Sequence, residues 1–290
     1  THPSAAALRV AQDRLREKET FQELGIPVPD YAAVNDLETL RRAADAIGLP
    51  ALLKTRTLGY DGKGQAVIEE ARGIEPAWDA VGRAPAILES LVAFEREVSV
   101  IGARDKSGRC VFYPLAENRH RGGILRLSRT SAGDDQQSRA ETFARRLLER
   151  LEYVGVLTLE LFEARGQLLA NEMAPRVHNS GHWTIEGAQP SQFENHLRAV
   201  CGLPVAQPTL VSPAAMVNFV GHLPPEDEIA VVSGATLHEY GKEARPGRKV
   251  GHVTLLRGDR SSSEHRSRLV RIVQLAGEHE IAEEVLGESP

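Results

Sequence analysis

The chain has 290 residues, more than one compact core of ~100–150 residues uses, so two or more lobes are expected. Hydrophobic residues make up 41% and charged residues 26%, and the net charge of -5 comes from interspersed signs; no apolar run approaches the ~20 residues of a membrane span, and no basic footprint for nucleic acid stands out. Cys110 and Cys201 lie far apart in no paired spacing, which excludes a disulfide scaffold and a cysteine zinc site and fits a cytoplasmic setting.

In chain order, residues 4–24 read as one helix. Ser4 can cap it, Leu8, Ala11, Leu15 and Leu24 form an apolar stripe, and Gly25 can end it. Pro27 and Pro29 force an extended connector, and 37–47 reads as a second helix. Residues 51–55 form a short strand carrying Lys54, 66–68 a returning strand, and a glycine-rich turn joins them. Residues 86–89, 96–103 and 110–115 are further strands, and 139–151 is an amphipathic helix with Phe143, Leu147 and Leu151 on one face. Residues 156–162 and 168–173 pair as a hairpin, and Ser191 with Glu194 opens a helix over 191–200. Strands over 215–220, 236–240 and 250–256 precede a last helix at 264–276. The mixture predicts an α+β (α/β) chain with antiparallel hairpins and helices on one side.

Four groups of residues could carry chemistry. Glu160 and Glu172 share one face of the hairpin if its loop holds an odd number of residues, with Glu160 opposite Ala170. Two such acids suit Mg²⁺, which takes one or two carboxylates together with substrate phosphates; a solvated sheet face fits the same pattern. Gly59-Tyr60-Asp61-Gly62-Lys63-Gly64-Gln65 suits either an anion-binding lid or a plain hairpin tip. The loop after the acidic strand offers Arg176, His178 and Asn179 as donors for a small oxyanion, or as ordinary loop hydrogen-bonders. Pro246-Gly247 fits a type II turn that would present Arg245, Arg248 and Lys249, with Lys242 close by, either to a phosphate monoester or to solvent.

Lys54–Gln65, Glu95–Val100, Val111–Leu115, Tyr153–Val156, Asn171–Trp183 and Arg245–His252 closely resemble the 5-(carboxyamino)imidazole ribonucleotide synthases, a family of ATP-grasp enzymes of purine biosynthesis. The likeness runs over essentially the whole chain, and its most specific stretch is Asn171–Trp183. It implies an ATP-grasp fold of two lobes clamping ATP, with a small β-rich C-terminal subdomain. The implied layout is linker helices and the remnant of an N-terminal domain over 1–50, a small lobe with a glycine-rich lid over 51–104, a large lobe with the metal and hydrogencarbonate site over 105–212, and the C-terminal subdomain over 213–290.

The resemblance also implies roles. Arg14 and Lys54 would contact ATP phosphates, the loop Gly59, Tyr60, Asp61, Gly62, Lys63, Gly64 and Gln65 would close over them, and Glu89, Ser90, Leu91 and Val92 would read the adenine. Glu97 would hold the ribose, His120 would sit at the nucleotide, and Asn171 would lie beside Mg²⁺ bound by Glu160 and Glu172. Arg176, His178 and Asn179 would position hydrogencarbonate, while Lys242, Arg245, Arg248 and Lys249 would meet 5-aminoimidazole ribonucleotide. The implied reaction carboxylates that ribonucleotide's amine through carboxyphosphate, in a cytoplasmic homodimer with neither nucleic-acid nor membrane partners.

Two departures stand out. Leu58 stands where many members carry glycine, and members open with a Rossmann-like domain before the helix that here starts at Ser4. Without that domain the expectation is retained ATP binding and poor carboxylation. Two rival readings are a formate-using glycinamide ribonucleotide transformylase and a non-catalytic ATP-binding fragment.

Overall fold

The computed structural model describes residues 2–57, 59, 64–130 and 132–288. Helix α1 (Ala5–Ala11) and helix α2 (Arg14–Glu23) replace the single helix expected over 4–24. The break is local chemistry. Asp13 is extended, and its carboxylate accepts the Leu15 N–H at 3.1 Å, so it caps a new helix in mid-stripe. Arg56 clamps the same carboxylate, and the Arg14 N–H donates to the Arg56 carbonyl at 2.9 Å.

The smaller lobe follows: β1 (Tyr31–Val34), α3 (Leu37–Ile47), β2 (Ala51–Thr55), β3 (Gln65–Ile68), α4 (Ile74–Ala80) and β4 (Ala86–Ser90). Its four-stranded antiparallel sheet runs β1-β4-β2-β3. One face, with Leu53, Leu88 and Ile68, packs under α3 and α4; the other presents Leu52, Lys54 and Glu89 to a cleft.

Next come β5 (Arg96–Arg104), β6 (Cys110–Phe112), β7 (Ala116–Arg121), β8 (Ile124–Thr130), α5 (Gln137–Arg150), β9 (Gly155–Ala164) and β10 (Gln167–Ala174). They are followed by α6 (Thr184–Gly187), β11 (Ala188–Gln189), α7 (Gln192–Val200) and β12 (Thr209–Leu210). The last stretch holds β13 (Ala214–Val220), α8 (Glu226–Ala230), β14 (Ala235–Glu239), β15 (Lys249–Leu256), α9 (Ser262–Leu275) and α10 (His279–Gly287). A nine-stranded sheet runs β10-β9-β5-β7-β8-β13-β15-β14, with β6 beside β5. Hence β5 belongs to the large sheet although it falls in the segment expected for the small lobe, and the C-terminal strands extend that same sheet. The expected strand over 110–115 ends at Phe112. Among the described residues no helix is long and apolar enough to cross a membrane.

One face of the large sheet carries Val98, Val100, Leu157, Leu159 and Leu161 under α2 and α5, and Val217, Val253 and Leu255 under α9 and α10. Each such side chain fully buried contributes ~1.5–3 kcal/mol. The opposite face carries a polar row. Glu172, Glu160 and Ser99 sit opposite one another on β10, β9 and β5. Asn118 faces Ser128 on β7 and β8, and Asn218, His252 and His238 are aligned on β13, β15 and β14.

Three register shifts bend the strands at this face. The β9–β10 turn is Arg165-Gly166, with φ of 51° and 69° and Ala164 paired to Gln167. These are the left-handed values a two-residue type I′ turn needs. Such an even turn sets Glu160 against Asn171 and sends Glu172 to the far face, contrary to the odd loop expected. A β-bulge at Asn171 restores the faces and leaves Glu160 directly opposite Glu172, not opposite Ala170. A second shift, between Arg119 and His120, turns Leu125 inward, and a third, at Val250, turns Lys249 inward.

Candidate active site

A cavity of about 570 Å³ lies between the two sheets. Of the expected residues, Arg14, Lys54, Gly59, Gln65, Glu89, Ser90, Leu91, Val92, Glu97, His120, Glu160, Asn171, Glu172, Arg176, His178, Asn179 and Lys249 all line it. Gly64 sits behind its rim, its carbonyl accepting the Thr55 N–H at 2.8 Å. Tyr60, Asp61, Gly62 and Lys63 lie outside the described residues. Lys242, Arg245 and Arg248 are not on the cavity wall. They sit on the tip between β14 and β15, where Arg245 pairs with Glu243 at 2.9 Å and Lys242 Nζ lies 5.0 Å from the Tyr240 ring centre. The tip turn is as expected: Gly247 has φ 75° and the Arg248 N–H donates to the Arg245 carbonyl at 3.0 Å.

Two buried lysines share one carboxylate. Lys54 Nζ is 3.0 Å from Glu89 Oε2 and donates to Asn171 Oδ1 at 3.3 Å. Lys18 Nζ is 3.4 Å from the same Glu89 oxygen and donates to the carbonyls of Ala170 and Asn171 at 3.1 and 2.8 Å. Burial pushes Glu89 up, but Lys54 and Lys18 outweigh it and hold the carboxyl below its usual range. Burial likewise pulls Lys18 down, against the charge of Glu89. Glu89 therefore orients the two cations while Ser90, Leu91 and Val92 form the edge beside it. Sequence reading missed Lys18 and its neighbour Glu17, which accepts the Met173 N–H at 2.6 Å. Burial, aided by the charge of Glu172, raises the Glu17 carboxyl to about 8. Together these α2 side chains brace the bulge that aims Glu172, and Arg14 pairs with Glu172 at 2.8 Å.

Burial also pushes Glu160 up, yet His178 overrides it and holds the carboxyl below its usual range. His178 Nε2 lies 2.9 Å from Glu160 Oε1. The ring is oriented from behind. The Ser128 hydroxyl donates to Asn118 Oδ1 at 2.7 Å, and Asn118 Nδ2 donates to Ser99 Oγ at 3.1 Å. Ser99 donates to Ser180 Oγ at 2.7 Å, leaving the Ser180 hydroxyl to donate to His178 Nδ1 at 2.8 Å. The Ser180 backbone N–H, which can only donate, also points at Nδ1 at 3.3 Å. The network thus makes Nδ1 an acceptor and puts the proton on Nε2, facing Glu160. Near by, His120 and Glu97 form a short ion pair; burial lowers the imidazole, but its bond to Glu97 wins and raises it.

The remaining wall is apolar. Leu91, Phe94 and Phe162 line one end, with Phe94 and Phe162 stacked at 4.9 Å and 13°. A flat slot of this kind suits a ring system. The sequence signalled Leu91 but neither phenylalanine.

The comparisons with known proteins bear on this arrangement. A model of the ATP-grasp domain matches residues 19–193, and one of the phosphoribosylaminoimidazole carboxylase C-terminal domain matches 214–266. The N5-carboxyaminoimidazole ribonucleotide synthase of Pseudomonas aeruginosa is 53% identical over 265 residues, covering 91% of this chain and 74% of that protein. The chain belongs to the N5-carboxyaminoimidazole ribonucleotide synthase family. It is an ATP-grasp carbon–nitrogen ligase. A crystal structure of a synthase from Thermus thermophilus matches with a TM-score of 0.88 and 51% identity, over 94% of this chain and 75% of that one. The synthase of Aspergillus clavatus, in complex with ADP and 5-aminoimidazole ribonucleotide, matches at TM-score 0.85 and 27% identity, over 95% and 76%. The chain thus spans about three quarters of these synthases. The sheet row and the loop built on it lie within the matched stretches.

Proposed function

We propose that the chain uses ATP and hydrogencarbonate to carboxylate the exocyclic amine of 5-aminoimidazole ribonucleotide, giving 5-(carboxyamino)imidazole ribonucleotide, ADP and phosphate. The observation that carries this is the gathering of Lys54, the Glu160–Glu172 pair, the Arg176–His178–Asn179 loop and Lys249 around one cavity. In this reading the Leu91–Phe94–Phe162 slot takes the adenine, Glu97 and His120 the ribose side, and Arg14 and Lys54 the phosphates. A homodimer in the cytoplasm is its proposed setting.

The acids fit Mg²⁺. Two carboxylates face each other on adjacent strands beside Lys54 and Asn171. Among the described residues no group of three or more His, Cys, Asp or Glu could hold a metal alone. That donor set is typical of an ion that completes its shell with water and substrate phosphate. When bound, the ion would be held by Glu160 and Glu172 and would offset charge on the phosphate oxygens.

Phosphoryl transfer is mostly positioning and charge neutralisation. Lys54 holds the phosphates while Arg176, His178 and Asn179 hold hydrogencarbonate in line. A hydrogencarbonate oxygen bonds to the γ-phosphorus, the bond to ADP breaks, and carboxyphosphate forms. The ribonucleotide amine then attacks the carboxyl carbon, of carboxyphosphate or of the CO₂ it releases. Phosphate departs with the C–O bonding electrons and takes up the amine proton. Water would hydrolyse the intermediate, so the cleft must close. Lys242, Arg245, Arg248 and Lys249 provide four cations for the ribonucleotide phosphate.

The test is phosphate release with each substrate omitted in turn. Release is expected to need ATP and hydrogencarbonate and to rise with 5-aminoimidazole ribonucleotide. Stimulation by formate plus glycinamide ribonucleotide instead, or binding of ATP with no release under any condition, would overturn the reading.

A further inference from the structure

Residues 178–187 lie across the inner face of the large sheet and are fixed to it at four points. His178 meets Glu160 at 2.9 Å and Ser180 meets Ser99 at 2.7 Å, both on strands of the ATP-grasp half. His182 Nδ1 meets the Tyr240 hydroxyl at 3.1 Å and Glu186 meets His238 Nε2 at 2.7 Å, both on the C-terminal β14–β15 hairpin. The segment that carries His178 and Asn179 is therefore clamped to the hairpin that carries Lys242 and Lys249.

Tyr240 is the centre of that clamp. Its hydroxyl reaches His252 Nδ1 at 2.7 Å as well as His182. Its ring lies under Lys242 Nζ at 5.0 Å. Its N–H donates at 3.0 Å to the carbonyl of Val250, the bulge residue that turns Lys249 inward. The hydroxyl has one proton and two flanking imidazole nitrogens, so one imidazole must donate and the other accept. His252 is 2% exposed and its Nε2 has no partner. A buried N–H without an acceptor is the costlier orphan. His252 therefore carries its proton on Nδ1 and donates to Tyr240, Tyr240 donates to His182, and His182 carries its proton on Nε2. Burial supports this order, raising Tyr240 to about 12 and lowering His182 to about 4. The phenol keeps its proton and the His182 ring stays neutral near pH 7.

We propose that Tyr240 is a positioning residue that transmits occupation of the ribonucleotide tip to the hydrogencarbonate loop. It rests on the functional reading above, because the two ends it joins are the two co-substrate sites of that reaction.

The test compares Tyr240→Phe with the unaltered chain. Phenylalanine keeps the ring under Lys242 and removes only the hydroxyl. Phosphate release with ATP and hydrogencarbonate alone is expected to stay within about twofold, since two neutral hydrogen bonds remote from the nucleotide are lost. The extra release evoked by saturating ribonucleotide is expected to fall about tenfold, with ribonucleotide binding, read by titration calorimetry, within about threefold. His182→Ala should reproduce that pattern, and the double variant should add nothing further. Full stimulation in Tyr240→Phe, or a loss of ribonucleotide affinity that accounts for the whole drop, overturns the role of Tyr240. Absence of stimulation in the unaltered chain overturns the functional reading and this inference with it.

Discussion

At the scale of single residues, the site is governed by which atom carries each proton. His178 can donate to Glu160 because five polar groups behind it are ordered one after another, from Ser128 to the Ser180 backbone. None of these five touches the cavity wall. Replacing Ser180 with alanine removes the strongest acceptor lock on Nδ1 but leaves the 3.3 Å backbone N–H. One neutral hydrogen bond is worth ~0.5–1.5 kcal/mol, so Ser180→Ala should lower kcat by up to about tenfold. ATP affinity should hold within about twofold, because Lys54 and Arg14 are untouched. Steady-state phosphate release with ATP titrated separately reads both quantities. An unchanged kcat would mean that the backbone N–H alone sets the ring.

At the scale of elements, short polar signals decide where strands and helices turn. The Asp13 cap is one. Its carboxyl is held below the usual range first by the hydrogen bond from Arg56 and further by its helix-capping bonds, against burial. A folded-state pKa below the unfolded one adds stability above the unfolded value, and that contribution is lost as pH falls through the folded value. Asp13→Ala should cost ~1 kcal/mol for the cap. The part-exposed pair with Arg56 adds little after solvent screening, well under ~1 kcal/mol. Asp13→Asn should keep most of the cap while flattening the loss of stability below about pH 4. Urea unfolding at pH 7 and pH 3 reads both effects; parallel acid losses in Asp13→Asn and the unaltered chain would show that Asp13 is not the titrating group.

Much of the element order was legible because apolar periodicity marked it: the helices at 37–47 and 139–151 and the strands around Lys54, Glu160 and Val217. The strands β7 and β8 were not. Ala116–Arg121 reads as a polar run because its inner face meets the cavity and its outer face pairs arginines with acids. Glu17 and Lys18 fall outside the apolar stripe of Leu8, Ala11, Leu15 and Leu24, and only docking against β10 buries them to 2% and 1%. The bulges at Asn171 and Val250 have no sequence signal, since a single extra residue in a strand changes no composition. Lys54, Arg176, His178 and Asn179 were found because a motif carried them, while no motif or spacing marked Phe94, which is 44% exposed, or Phe162.

At the scale of the whole molecule, the cavity is lined from two separate sheets. Lys54 and Glu89 come from the smaller sheet, Glu160, Asn171 and Glu172 from the larger. A ligand bridging them holds both lobes in one unit, so its binding energy should appear as cooperative stability. At a concentration of 100 times Kd, magnesium-ATP should add about 2.7 kcal/mol. For a chain of 290 residues that corresponds to a rise of roughly 4–5 °C in Tm. Glu172→Gln removes one of the two facing carboxylate charges while keeping nearly the same volume, and it releases Arg14 from its pair at 2.8 Å. In that variant, magnesium should add much less to the shift that ATP gives alone, because the cation loses one of its two carboxylates and an amide replaces it poorly. Differential scanning fluorimetry with ATP, with magnesium, and with both separates the two contributions. A magnesium-dependent shift in Glu172→Gln equal to that of the unaltered chain would remove Glu172 from the metal site and return the two acids to a merely electrostatic role beside Arg14 and His178.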